Sequence, residues 1–343
     1  MNYYSWDNHS TLREKTGGGK ARLDVSYFLK EEGYKSLKYY NSKNIFLKFL
    51  LVIVNFILFP FLIKKESILF VQYPHNIGQR NILKFYKKIK RVKTIFLIHD
   101  LESIRLKNDA SIEAEDLKYA DYIISLNDAM KDYIENKLGI KNKKISCLEL
   151  WDYYVGNKPS KVVKIDLSEK AKNYKCNILI AGNLDKNKAG YLKKLSEVSD
   201  VRFFLMGDNF DNNIELKDNV NYIGSFDADT RIKYFGGVLF GLVWDGESIE
   251  TCSGNYGEYL HINLPHKTSF YLSNQIPIVV WNRAYISNFI KDNNCGFGVD
   301  NLFELMLIEG GENKSLKESA AKQSGLIGSG YYLYSAIDKL ALI

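Results

Sequence analysis

Two successive series of short, continuously apolar runs, each interleaved with amphipathic stretches, constrain this chain more than any other feature. In the first series Ile68-Leu-Phe-Val-Gln-Tyr73, Thr94-Ile-Phe-Leu-Ile98 and Tyr122-Ile-Ile-Ser-Leu126 read as strands, with helical periodicity at 79–90 and 128–137. In the second the strands are Cys176-Asn-Ile-Leu-Ile-Ala181, Val201-Arg-Phe-Phe-Leu-Met206, Val220-Asn-Tyr-Ile223, Val238-Leu-Phe-Gly-Leu-Val-Trp244 and Ile276-Pro-Ile-Val-Val-Trp281, with helices at 189–198, 267–273 and 284–292. A strand without polar alternation is covered on both faces, so each series predicts a parallel, doubly wound α/β sheet. The polar segment 152–175, with Gly156, Pro159 and many lysines, separates them. The expected boundaries are therefore a Rossmann-like domain at 1–155, a second at 156–330 and a closing helix at 331–343. At ~150 residues per domain, 343 residues suffice for two such cores.

A composition of 46% hydrophobic and 25% charged residues is that of a globular chain, too apolar for disorder and too evenly charged for a multi-span membrane protein. Cys147, Cys176, Cys252 and Cys295 lie far apart, with no CxxC spacing and no histidine placed to complete a zinc site. They read as reduced thiols of a cytoplasmic protein, and no metal site is expected. The N-terminus, Met1-Asn-Tyr-Tyr-Ser-Trp6, lacks the basic and apolar regions of a secretory signal.

The net charge of +7 is uneven: Lys84, Lys87, Lys88, Lys90, Arg91 and Lys93 crowd one segment, and Lys64-Lys65 closes an apolar run. Such clusters suit either a solvated helix face or an anionic lipid surface; no nucleic-acid motif accompanies them, so no nucleic-acid partner is expected. In the run 49–63, Lys48, Asn55, Pro60 and Lys64 confine the uninterrupted apolar pieces below the ~20 residues needed to span a bilayer. A buried or subunit-facing helix and a monotopic helix in the headgroup layer are the two expectations.

Four segments carry candidate chemistry. Thr16-Gly-Gly-Gly-Lys-Ala-Arg22 precedes an amphipathic stretch, and consecutive glycines let backbone approach a diphosphate while Lys20 adds charge. It has neither P-loop nor dinucleotide spacing, and a plain flexible loop is the alternative. Ile98-His-Asp-Leu-Glu-Ser-Ile-Arg105 begins where a parallel strand ends, which makes Asp100 and Glu102 candidate cleft carboxylates, with Asp100 as a helix N-cap the alternative. Ala181-Gly-Asn-Leu-Asp-Lys-Asn-Lys188 repeats the strand, Gly-Asn turn and basic segment, with Asn183, Lys186 and Lys188 as candidate phosphate contacts. In Pro265-His-Lys-Thr-Ser269 a cation and two hydroxyls, Lys267, Thr268 and Ser269, begin a helix, a good place for a nucleotide phosphate.

The stretch Leu242-Val-Trp-Asp-Gly-Glu-Ser-Ile-Glu-Thr-Cys-Ser-Gly254, with Gly257-Glu-Tyr259 and Asn263-Leu-Pro-His-Lys-Thr-Ser-Phe-Tyr-Leu-Ser273, resembles the bacterial β-1,6-galactofuranosyltransferases of polysaccharide assembly. Ile98-His-Asp100, Ala181-Gly-Asn-Leu184 and Gly224-Ser-Phe-Asp-Ala228 are similar to shorter blocks of the same family, so the likeness is spread over nearly the whole chain. A more distant similarity joins it to streptococcal adhesin glucosyltransferases.

The resemblance implies a GT-B fold, two Rossmann-like domains facing a central cleft. It implies an inverting hexosyltransferase that passes galactofuranose from UDP-galactofuranose to an undecaprenyl-diphosphate-linked glycan of O-antigen or capsule, at the inner face of the cell membrane. It places donor contacts at Lys186, Lys267 and the loop Gly18, Gly19 and Lys20; Asp245, Glu247 and Glu250, in the donor domain, are further donor-binding candidates, the two glutamates for sugar hydroxyls. Phe226 stands where relatives place a tyrosine near the nucleotide, so uracil stacking would persist without the hydroxyl. Inversion requires a base for the acceptor hydroxyl, and Asp100 is ranked before Glu102. No cofactor and no divalent metal are expected; a homo-oligomer is compatible with the sequence.

Two further patterns are discounted. Asp227-Ala-Asp229 matches a metal-binding DxD, but it is expected to begin a helix where Asp acts as a cap. Glu250 and Glu258 match the E-x7-E of retaining enzymes, yet the helix before Ile276 starts at Pro265-His-Lys instead. The alternatives carried are a glucosyltransferase acting on a glycosylated adhesin, a sugar-nucleotide epimerase and an inactive UDP-binding subunit.

Overall fold

The computed structural model describes residues 2–6, 17–40, 42, 44–141, 143–156, 159–168, 174–308 and 314–341. The chain divides into two compact units, Met1–Arg13 with Gly18–Glu149 and Tyr332–Ile343, and Glu14–Gly17 with Leu150–Tyr331.

The first unit runs β1 (Tyr3–Trp6), α1 (Gly17–Glu31), β2 (Lys35–Leu37), α2 (Ile45–Leu62), β3 (Ile68–Tyr73), α3 (Ile77–Lys90), β4 (Lys93–Ile98), α4 (Glu102–Arg105), α5 (Ala110–Leu117), β5 (Tyr122–Ser125), α6 (Asp128–Asp132, continued as a π turn over Tyr133–Lys137) and β6 (Lys144–Cys147). Its strands form one six-stranded sheet ordered β2-β1-β3-β4-β5-β6, every pair parallel. All six residues of β3 are buried, as its unbroken apolar run requires.

The second unit contains β7 (Val162–Asp166), β8 (Cys176–Ala181), a 3-10 helix (Gly190–Glu197), β9 (Val201–Met206), β10 (Val220–Tyr222), β11 (Arg231–Phe235), β12 (Leu239–Val243), α7 (Gly254–Tyr259), α8 (His266–Ser273), β13 (Ile278–Trp281), α9 (Ile286–Asp292), β14 (Gly296–Val299), a second 3-10 helix (Leu302–Leu307) and α10 (Lys314–Gly328). A last helix, α11 (Tyr331–Lys339), returns the chain to the first unit, where the Tyr334 hydroxyl donates to Phe28 O at 3.0 Å. The main sheet is parallel throughout and ordered β10-β9-β8-β12-β13-β14, the Rossmann arrangement in which the direction of winding reverses between β8 and β12.

Three expectations are corrected. The stretch after Asp227-Ala-Asp229 is not a helix: Thr230 N–H closes a turn onto Asp227 O, and β11 follows. β11 pairs in parallel with β7, which lies inside the polar segment 152–175, as a two-stranded ribbon. Each strand of that ribbon buries a single residue, Ile165 and Ile232, so its polar content hid it from an apolar-run criterion. The glycine-rich segment is not a loop either. Gly17, Gly18 and Gly19 form the first turn of α1, whose inner face of Ala21, Val25, Phe28 and Leu29 is buried. That burial outweighs the poor helix propensity of glycine, about 1 kcal/mol per residue relative to alanine. Thr16 lies outside the described residues.

The apolar run does not become a core helix. Only Asn55 and Phe59 of the 18 residues of α2 are buried. Asn44 caps its N-terminus by accepting from the N–H groups of Phe46 (3.0 Å) and Leu47 (3.2 Å). The Asn55 amide donates to Tyr40 O at 2.6 Å and accepts from Tyr40 N–H at 2.9 Å, satisfying a polar group within an apolar helix.

In the second unit Tyr271 of α8 locks the helix onto the sheet across the reversal point. Its fully buried hydroxyl accepts from Ala181 N–H (2.8 Å) at the end of β8 and donates to Leu242 O (3.1 Å) in β12. Gly241 leaves room for the ring, since a Cβ there would lie 2.2 Å from Tyr271 Cγ. Tyr271→Phe strands both backbone groups without opening a cavity, so urea unfolding should show a loss of about 1–3 kcal/mol; an unchanged midpoint would show that the hydroxyl adds nothing.

Candidate functional site

The loops that follow β8 and β12 meet at the carboxyl edge of the second sheet, beside its reversal point, where open α/β sheets bind ligands. Ala189 and Gly246 pair as an isolated bridge, Gly246 N–H donates to Lys188 O at 2.8 Å, and Tyr191 N–H donates to Gly246 O at 3.2 Å. Gly246 adopts φ 119°, and a Cβ would come within 2.4 Å of Ser253 O, so this crossing requires glycine.

Three charges converge there. Asp245, 5% exposed, receives the Lys267 ammonium at 2.8 Å and lies 3.8 Å from the Lys188 ammonium. Lys267 Nζ also donates to Trp244 O at 2.9 Å. Burial pulls the Lys267 ammonium below the usual lysine range, and the Asp245 carboxylate opposes that shift. Two ammonium groups around one carboxylate leave a net positive cluster, and Lys188 also sits 5.9 Å from the Tyr256 ring centroid.

The predicted donor residues divide around this cluster. Asp245 and Lys267 are joined directly. Lys188, not Lys186, supplies the second cation: Lys186 is exposed in the turn that follows Asn183. The Asn183 side chain accepts from Asp185 N–H (3.1 Å) and Asn209 Nδ2 (2.9 Å). Glu247 and Glu250 are exposed on the loop after β12. At the head of α8, Ser269 is committed to structure, its Oγ donating to Trp151 O at 2.7 Å. Thr268 is 1% exposed, and its Oγ1 has no hydrogen-bond partner among the described residues. Glu258 falls near the end of α7 and does not begin α8.

Phe226 packs on Phe270 of α8 with centroids 4.9 Å apart. Beside it, Tyr153 stacks on His266 at 4.9 Å, and its hydroxyl donates to Ala228 O at 2.6 Å. Tyr153 and His266 were missed in the sequence. The only signal was an aromatic residue in the separating segment and a histidine next to Lys267.

In the first unit, the carboxyl edge near β3 and β4 is organised by Gln72. Its amide nitrogen donates to Arg22 O (3.1 Å) and Ser26 Oγ (3.0 Å), and its oxygen meets His99 Nε2 at 2.8 Å. Arg22 returns to the same strand end, donating to Gln72 O (3.1 Å) and Pro74 O (3.0 Å). His75 follows, held neutral because burial, with Arg80 and Arg22 nearby, brings its pKa down to about 3. Asp100 does not cap α4, whose N-cap is Leu101; it receives Arg105 Nη1 at 2.9 Å, and Glu102 lies 3.9 Å from the same guanidinium. Both carboxylates stay partly exposed. Lys20 forms a buried ion pair with Asp24 one turn along α1.

Comparison with known proteins places these features in a family. Residues 7–150 match the model of the glucosyltransferase 3-like N-terminal domain, and 178–340 that of the C-terminal domain. The chain is 32% identical over 285 residues to the β-1,6-galactofuranosyltransferase WbbI of Escherichia coli K12, covering 81% of this chain and 80% of that one. It is 25% identical over 254 residues to glucosyltransferase 3 of Streptococcus gordonii, covering 71% and 70%. Among solved structures, Anabaena HepE in complex with UDP and glucose aligns with a TM-score of 0.58 at 10% identity, over 100% of both chains. A Rickettsia africae glycosyltransferase aligns with 0.58 at 14% identity, over 99% of this chain and 98% of that one. With both of its domains matched and two Rossmann-like sheets in the order the fold demands, the chain belongs to the glucosyltransferase 3-like family and is a glycosyltransferase of the GT-B fold.

Proposed function

We propose that this enzyme transfers galactofuranose from UDP-galactofuranose, with inversion, to an undecaprenyl-diphosphate-linked glycan of O-antigen or capsule at the cytoplasmic face of the membrane. The observation that carries the donor half is the net positive Lys188–Asp245–Lys267 cluster at the reversal point of the second sheet. A diphosphate there would meet two ammonium groups and the N-terminus of α8, while the half-buried Phe226, backed by buried Phe270, offers an apolar face for uracil. The galactofuranosyl donor is supported by the WbbI relative. UDP is supported by the HepE structures, which hold UDP and UDP-glucose. Glu247 and Glu250, exposed on the same loop, suit sugar hydroxyls.

For the acceptor hydroxyl, Asp100 is the proposed base. Arg105 holds its partly exposed carboxylate in place at 2.9 Å, with Glu102 as the alternative near the same guanidinium. Charge developing on departing UDP would be met by the lysines and by backbone N–H groups, so turnover without a divalent metal is part of the proposal. The glucosyltransferase 3 relative favours a second reading, glucose as the transferred sugar, and a panel of UDP-sugars with nuclear magnetic resonance detection separates the two. Isomerisation of the donor without acceptor would instead indicate an epimerase.

Lys267→Ala removes a charge-assisted phosphate contact worth roughly 1.5–3 kcal/mol, so calorimetry should show UDP binding weakened about ten- to a hundredfold. It also leaves the buried Asp245 carboxylate facing Lys188 alone at 3.8 Å, so adding Asp245→Asn should recover part of the loss. Unchanged affinity in folded Lys267→Ala would remove this cluster from the donor site. Asp100→Asn should lower kcat by about 10²–10⁴ with UDP affinity nearly unchanged. Near-native kcat in Asp100→Asn with inactive Glu102→Gln moves the base to Glu102. Activity should survive EDTA; loss on chelation with recovery in magnesium or manganese would return Asp227-Ala-Asp229 to consideration.

A further inference from the structure

We infer that α2 and the adjoining edge of α3 form a membrane-docking surface that inserts, in the plane of the bilayer, into the headgroup region of an anionic lipid leaflet. α2 is anchored to the first unit along one face only. Phe59 packs on Trp6 (5.1 Å) and Tyr86 (5.7 Å), Phe56 on Phe85 and Tyr86 (5.2 and 5.0 Å), and Asn55 bonds Tyr40. The rest of the helix is apolar except for Lys48, and Ile45, Leu47, Leu50, Ile53, Ile57 and Leu62 are exposed. Phe46, Phe49 and Phe61 are 85%, 71% and 83% exposed, and Phe85 and Ile89 of α3 extend the same apolar character. An exposed apolar surface of this extent marks an interaction site.

Charge selects the occupant. Neither α2 nor α3 contains an acidic residue. The lysines that flank the apolar face, Lys48 near its start and Lys64 and Lys65 just past its end, are exposed, as is Lys88 on α3. An apolar strip rimmed by cations complements anionic headgroups above an acyl region. A second copy on the same face would set like-charged rims against each other, which opposes that pairing. The packed face decides the depth: at 1.5 Å per residue the 18 residues of α2 extend ~27 Å, near a bilayer's thickness, but Asn55, Phe56 and Phe59 tie the helix lengthwise to the protein. It therefore lies along the surface and does not cross it.

Flotation of the full chain with vesicles tests this independently of which sugar is transferred. With vesicles of roughly equal phosphatidylglycerol and phosphatidylcholine, the wild type should float. Phe46→Ser/Phe49→Ser/Phe61→Ser, all at exposed positions, should retain its circular dichroism and lose at least about tenfold in vesicle partitioning. Lys64→Ser/Lys65→Ser should bind the anionic vesicles roughly thirtyfold more weakly and lose less on pure phosphatidylcholine. Three results overturn the inference: a wild type that stays with the unbound fraction on both vesicle types, triple-serine binding equal to wild type, or a lipid-indifferent dimer that the triple substitution dissociates, which assigns the surface to a second copy.

Discussion

One nearly dehydrated ion pair organises the candidate donor site: the Asp245 carboxylate at the end of β12 and the Lys267 ammonium at the start of α8, 2.8 Å apart. Neither charge alone would tolerate that environment, because an uncompensated buried charge costs several kcal/mol. Together, with the Trp244 carbonyl on the lysine and Lys188 on the far side of the carboxylate, they are satisfied and still net positive. The position of the pair is inherited from apolar packing. α8 is held by Tyr271 under the sheet and by Ser269 on Trp151 O, so the lysine arrives at the reversal point because the helix below it cannot shift.

The first unit solves a different problem at its own carboxyl edge. There three carboxylates each meet a cation, Asp24 with Lys20, Asp116 with Arg80 and Asp100 with Arg105, whose guanidinium also lies 3.9 Å from Glu102. A neutral amide, Gln72, reaches α1 through Arg22 O and Ser26 and reaches the end of β4 through His99. At this edge Asp100 is a partly exposed carboxylate held by Arg105.

How far residues could be read in advance depended on whether their setting was local. β3, β8 and β9 are buried along almost their whole length and stand where continuous apolar runs placed them. The ribbon of β7 and β11 did not show, because each strand buries one isoleucine and borrows its definition from the other. The three glycines suggested a loop by local propensity, yet four buried side chains downstream impose a helix. Of two lysines two residues apart, only Lys188 reaches Asp245, a distinction set by the crossing of the 189 and 246 backbones.

From the sequence alone came the fold class, the strands β3, β4, β5, β8, β9, β10, β12 and β13, and the residue types gathered near their carboxyl ends, since apolar periodicity and turn chemistry act over a few neighbouring positions. Only the tertiary structure decided which of those residues meet. Asp245 and Lys267 are 22 positions apart and Gln72 and His99 are 27, and contacts over such separations depend on strand order and helix packing. The same holds for α2: its apolar run was plain in the sequence, but whether that run faces a core or faces outward is set by what the rest of the unit packs against it, and here that is one face alone.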